Sequence, residues 1–138
     1  MTLFGAIGAA GSGMTLARKW MDAVGDNLAN MNNVTRTSEE AFAQRYVVAQ
    51  AKDYGTDHTS SAGGVDIAGV AFGSTEGRVV HDPTHVLADA DGYVRMPDID
   101  TASQMGQLII SQRAYQANAA VVDRAKASYE AALQIGRA

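Results

Sequence analysis

Ile7, Met14, Met21 and Leu28 stand seven residues apart, and Ala10, Ala17, Val24 and Met31 repeat the same interval beside them. Steps of three and four put both rows on one face of a helix and make a coiled-coil-like seam, so this segment needs a second helix to lie against. Arg18, Lys19, Asp22 and Asp26 occupy the opposite face. Gly5, Gly8, Gly11 and Gly13 weaken the first turns, each by about 0.5–1 kcal/mol relative to alanine in a helix interior. The start of the helix is therefore expected to order only when packed.

The partner is at the other end of the chain. After Pro97, Asp100 or Thr101 can cap a helix that runs on to Gly136, a residue type expected just past a helix end. Met105, Leu108, Tyr115, Val122 and Tyr129 share one side of it, broadened by Ile110, Ala117, Val121, Ala132 and Ile135. A stripe that wide meets more than one neighbour. The composition agrees: 46% of residues are hydrophobic but only 7% aromatic, so burial comes from long seams of small side chains more than from a bulky centre.

Between the helices the period shifts toward two. Residues 42–49, 65–72, 78–81 and 93–96 read as short strands, with Asp91-Gly92 as a two-residue hairpin signal and residues 54–64 as a flexible loop that includes His58. The expected class is α+β: long terminal helices paired antiparallel, residues 1–35 and 98–138, around a small β-hairpin insert over residues 36–97.

Several chemistries find little support. A net charge of −4 with dispersed Lys and Arg argues against a nucleic-acid surface, and a chain without cysteine has no thiolate catalysis and no Cys-ligated zinc. No apolar run reaches about 18 residues, and no basic start of a Sec-type signal is visible. GAIGAAGSG, residues 5–13, lacks the preceding strand and following Lys-Ser or Lys-Thr of a phosphate loop. HDPTHVLADAD, residues 81–91, is the richest ligand cluster, and a small metal-dependent enzyme or sensor using His81, Asp82, His85 and Asp89 is the alternative function. Pro83 breaks any helix that would align the two histidines, so a turn-rich connection is the plainer reading. No nucleophile motif appears, no cofactor is implied, and Trp20 reads as packing; the expectation is a protein that is not an enzyme.

The asparagines are more informative. Asn32 and Asn33 suit a fraying helix end, whereas Asn27 and Asn30 fall inside the periodic segment. An amide there donates and accepts at once, linking to another element without burying a charge.

GMTLARKWMDAVGDNLANMNNVT (residues 13–35), with its N-L-A-N signature, resembles the opening segment of bacterial flagellar axial proteins, the rod, hook and filament family. DPTHVLADADGYVRMPDIDTASQM, then SQRAYQANAAVVDRAK and ALQIG, are most similar to proximal rod members. Val86 and Asp98 depart from the commoner proline and asparagine, and the missing T-P-G-Y run sets the chain apart from distal members. The resemblance implies a structural subunit of a torque-transmitting shaft and export-channel wall. Its paired terminal helices would line the tube and the insert would face outward. It also implies export by the flagellar type III route without a cleaved signal and residence in the periplasmic rod of the basal body. The implied partners are copies of itself, other proximal and distal rod proteins, and export or MS-ring components at the rod base, with no nucleic acid and no membrane insertion. Asn27, Leu28, Ala29 and Asn30 match the first signature; Asp82, Pro83, Gly92, Tyr93, Pro97, Met105, Arg113, Tyr115, Gln116 and Asn118 match the second. With Ile7, Met14, Met21, Met31, Leu108 and Val122 they form the expected packing and assembly surface.

Overall fold

The computed structural model describes residues 3–52 and 63–136. Helix α1 (Leu3–Asn30) is followed by strands β1 (Arg45–Ala51), β2 (Val65–Phe72), β3 (Arg78–His81) and β4 (Tyr93–Met96), and by helix α2 (Thr101–Ile135). Residues 53–62, and with them His58 and most of the loop expected at 54–64, lie outside the described residues.

The two helices run antiparallel, as contacts at successive levels show. The Phe4 ring meets Tyr129 edge-on, Gly13 faces Asn118, Trp20 Nε1 donates to Gln107 Oε1 (3.3 Å), Asn27 reaches Gln104, and Thr101 Oγ1 donates to Met31 Sδ (3.4 Å). At its start α2 is capped by Asp100, whose carboxylate accepts from Ser103 N–H at 2.8 Å; at its end Gly136 N–H returns to the Ala132 carbonyl at 3.1 Å. Thirty-five residues at the α-helical rise make a rod about 52 Å long.

The seam differs in one respect from the apolar rows of the sequence. On α1 the buried positions include Ala10, Ala17 and Val24, one of the two expected rows, while Ile7, Met14, Met21 and Leu28 flank it half-buried. On α2 the deepest row is Gln104, Ser111 and Ala125, with Asn118 half-buried between them. Leu108, Tyr115 and Val122 form the second row of the seam, half-buried, but Met105 is 48% exposed. The core between the helices is therefore narrow, built from alanine, valine and uncharged polar side chains. Such a core brings backbones close and buries little apolar area.

The small β insert expected between the helices is made of two separate two-stranded antiparallel sheets. In β1–β2, Arg45 pairs with Phe72 and Ala51 with Val65, with a bulge between Val48 and Ala49. β1 begins three residues later than expected, because residues 41 and 44 are tied into the following turn instead: Ala41 N–H donates to Thr75 O, and Gly73 N–H to Gln44 O. A two-stranded hairpin alone is marginal in water. This one leans on α1 over an open cleft of about 180 Å³ whose floor includes Ala23, Val47, Ile67 and Val70.

In β3–β4, Arg78 pairs with Met96 and His81 with Tyr93. Asp91-Gly92 does not make a two-residue hairpin; the strands are joined by residues 82–92, and Gly92 N–H closes a terminal turn on Asp89 O (3.0 Å). Gly92 has φ 81°, and a Cβ there would lie 2.9 Å from Pro83 Cβ, so both conformation and space call for glycine. Thr35 bridges to Arg95, which fastens this hairpin to the segment leaving α1.

Candidate assembly surfaces

The four asparagines at the end of α1 have separate tasks. Asn27 is 1% exposed and lies where α1, α2 and β1 converge. Its Oδ1 accepts from Arg45 N–H (2.8 Å), and its Nδ2 donates to Arg45 O and to Gln104 Oε1, both at 3.0 Å. Asn30 Nδ2 turns back onto Asp26 O (2.8 Å), and Asn33 N–H bonds Asn30 O (3.0 Å). Asn32 and Asn33 are exposed in the turn beyond. An amide at position 27 serves two backbone groups and a neighbouring amide together, which no apolar side chain can do and no carboxylate could do without burying charge.

Leu28 and Met31 are half-buried beside it and Ala29 is exposed. Pro97 is buried just before α2, where it directs the chain into the helix. Gln104 and Ser111, at 1% and 0% exposure, are the buried residues that apolar pattern reading misses. They stand four residues before Leu108 and Tyr115 respectively, so their heptad spacing was a usable signal once polarity was set aside.

The cluster at 81–91 works on its own backbone. Asp82 Oδ1 accepts from Thr84 Oγ1 (2.8 Å) and N–H (3.3 Å), and His85 Nδ1 accepts from Leu87 N–H (3.1 Å). The exposed His81 and Tyr93 rings meet edge-on at 4.9 Å. Asp89 Oδ1 accepts from Tyr93 N–H (2.8 Å) and Asp91 N–H (3.1 Å), and its Oδ2 from Thr37 Oγ1 (2.9 Å). The Tyr93 backbone bond is the main reason its carboxyl titrates below the ordinary value of 3.8, aided by those from Thr37, Asp91 and Gly92 and opposed by desolvation. Among the described residues no three His, Asp or Glu side chains converge on a point where a metal could sit, so the alternative built on His81, Asp82, His85 and Asp89 is not favoured. The glycine-rich stretch at 5–13 lies within α1 and forms no anion-binding loop.

The surface of α2 turned away from α1 is open. Met105, Arg113 and Gln116 are exposed; so are Ile110 at 55% and Ile135 at 79%. Every residue from Lys126 to Gly136 is exposed, including Tyr129 and Leu133, which continue the seam beyond the well-packed part of α1. A 35-residue helix with three buried positions leaves two flanks uncovered within the subunit.

A family profile described as "Flagellar basal body rod FlgEFG protein C-terminal" matches residues 90–135, which covers β4 and all of α2. The flagellar basal-body rod protein FlgC of Escherichia coli O6:H1 is 31% identical over 137 residues, spanning 99% of this chain and 100% of the relative. FlgC of Bacillus subtilis strain 168 is 30% identical with the same shares, and that of Borreliella burgdorferi 26% identical over 98% of both chains. With similarity running through both helices and the insert, this chain belongs to the FlgC family of flagellar basal-body rod proteins.

Proposed function

We propose that the chain is a structural subunit of the flagellar proximal rod, assembling helically through its terminal helices into a shaft that carries torque and walls the export channel. The observation that carries this is the exposed apolar flank of α2, with Ile110, Val121 and Ile135 on a helix too long to be covered along its whole length within one subunit. Packed side by side around a tube, such flanks spread torsional load over many weak contacts, and a heterologous contact that does not close generates a helical assembly. Residues 1–35 and 98–138 form the inner unit in this reading and residues 36–97 the outer one, facing lateral neighbours. Copies of the chain, other rod proteins and the components at the rod base are its partners. The periplasmic rod is its place, and the flagellar type III apparatus its route there. Its role is mechanical, without catalysis.

Complementation tests this. The full chain is expected to restore swimming to cells lacking their own copy of its gene, and Ile110→Lys with Val121→Lys to abolish swimming while leaving the isolated subunit folded. Complete rods in cells without the protein, or native basal bodies whose density shows α1 and α2 splayed apart, would overturn the reading.

A further inference from the structure

Among the described residues α2 packs on neither β1 nor β2; both strands rest on α1. Yet α2 reaches the hairpin through two side chains in series. Gln104 Oε1 accepts from Asn27 Nδ2 at 3.0 Å, and the rest of the same Asn27 amide grips the N–H and C=O of Arg45, the first residue of β1. Gln104 and Asn27 are each 1% exposed.

The hairpin's other ties are looser. The Asp26–Arg45 ion pair is about half exposed on both sides, and exposed pairs of this kind contribute little. Val65 N–H donates to Ser12 Oγ at 3.1 Å, a single bond to a hydroxyl where Arg45 has two to one amide. Tyr46, Val48, Val70 and Phe72 stay between 43% and 66% exposed, so the two strands have little apolar cover of their own. The buried amide pair is thus the firmest anchor of β1, and it is complete only when α1 and α2 meet in this register. If α2 slipped by one heptad, Asn27 would face Ser111, whose short hydroxyl already donates to Leu108 O at 2.8 Å. The Asn27 amide hydrogen that Gln104 Oε1 accepts would then face a side chain too short to replace Gln104, while the other hydrogen kept only Arg45 O, and a buried donor left without its partner is costly.

We propose that Gln104 is a positioning residue for the β1–β2 hairpin, acting through Asn27, so that the hairpin is held in place only while the two helices are zipped together at this level. Zipping of the terminal helices and seating of the outer hairpin are then one event. A subunit whose helices are apart carries a loose hairpin, and a subunit whose helices are paired presents it in a fixed pose. This goes beyond the rod reading and applies to the free subunit, so its test does not depend on assembly.

The test is amide hydrogen exchange on the purified full chain, comparing residues 45–51 and 65–72 with the middle of both helices. Gln104→Leu is expected to speed exchange in the two strands at least tenfold relative to the helices. Ser111→Ala removes an equally buried polar group from the same face of α2 without touching Asn27, and is expected to leave that ratio unchanged. Native protection of the strands in Gln104→Leu, equal acceleration in helices and strands, or the same response from Ser111→Ala would each overturn the proposal. If Gln104→Leu does not fold, Asn27→Leu with Gln104→Leu substitutes an apolar pair that keeps the helices together while removing the grip on Arg45. Native helicity with fast-exchanging strands is then expected, and strands as protected as in the native chain would refute the coupling.

Discussion

Gly13 and Asn118 meet across the seam: a Cβ at Gly13 would lie 2.9 Å from both Nδ2 and Oδ1 of the Asn118 amide. That amide is not idle, because Nδ2 donates to the Ala114 carbonyl at 2.8 Å. Glycine is therefore present where two helix backbones approach across a side chain that has its own bond to keep.

Gly13→Ala is expected to destabilise the isolated subunit by about 1 kcal/mol. The helix-propensity gain of roughly 1 kcal/mol is outweighed by the overpacking and the displaced amide, which together cost about 1–3 kcal/mol. Denaturant unfolding followed by the emission of Trp20, which sits in the same seam, measures it. In an Asn118→Ala background the sign is expected to reverse, since the obstruction is gone and only the propensity gain of roughly 1 kcal/mol remains. Equal effects in the two backgrounds would mean the contact is not felt.

Much of this architecture is legible in the residues themselves, and the failures have a common cause. The α1 repeat and the Asp100 and Gly136 helix ends follow from period and capping chemistry, and β2, β3 and β4 from alternation and turn residues. What periodic hydrophobicity hides is a seam whose deepest members include Asn27, Gln104 and Ser111. Counting apolar side chains selects Met105, whereas the helix turns Gln104 inward because an amide on α1 is waiting for it. Asn27 is visible as an unusual residue in the periodic segment, but that it holds a strand 18 positions away is a tertiary fact. The 82–92 connection misleads for a similar reason, since Asp89 organises a longer turn through Thr37, which belongs to a distant segment.

Asp89 makes that connection sensitive to acid. Its folded pKa is depressed, foremost by the Tyr93 N–H bond, so the carboxylate's contribution is fully present above 3.8 and is lost as pH falls through the lower folded value. Lowering pH below 3.8 is expected to loosen the turn at Tyr93 and release Thr37 before the helices respond. Asp89→Asn is expected to be looser at neutral pH and to lack that acid step. Amide exchange at Tyr93 across this range reads both, and an unchanged acid profile in the variant would assign the step to another group.

The exposed end of α2 has a consequence for the free subunit. Lys126 to Ile135 has no buried member, and its Lys126–Glu130 pair, at 3.9 Å and well exposed, is a weak support. In dilute monomer these turns are expected to fray, so that circular dichroism reports fewer helical residues than the 28 of α1 and 35 of α2. Amides from 126 onward should exchange fastest in the helix. Concentration-independent, uniform protection along α2 would indicate that the helix needs no neighbour.

Gly8 and Gly11 separate the needs of the subunit from those of the assembly. Both are exposed, and a Cβ at either would meet nothing within 4 Å. Within the subunit, glycine there only costs helix stability, so Gly8→Ala and Gly11→Ala are each expected to stabilise the isolated protein by about 0.5–1 kcal/mol. If a neighbouring helix comes close to this stretch of α1 in the proposed rod, an added methyl on each of two successive turns holds it off. The double variant should therefore melt at a higher temperature in solution and yet swim worse in complementation. Better stability with unaltered swimming would place the neighbour on another face of α1, and the open glycines would then mark adaptable backbone at the start of the helix rather than a contact.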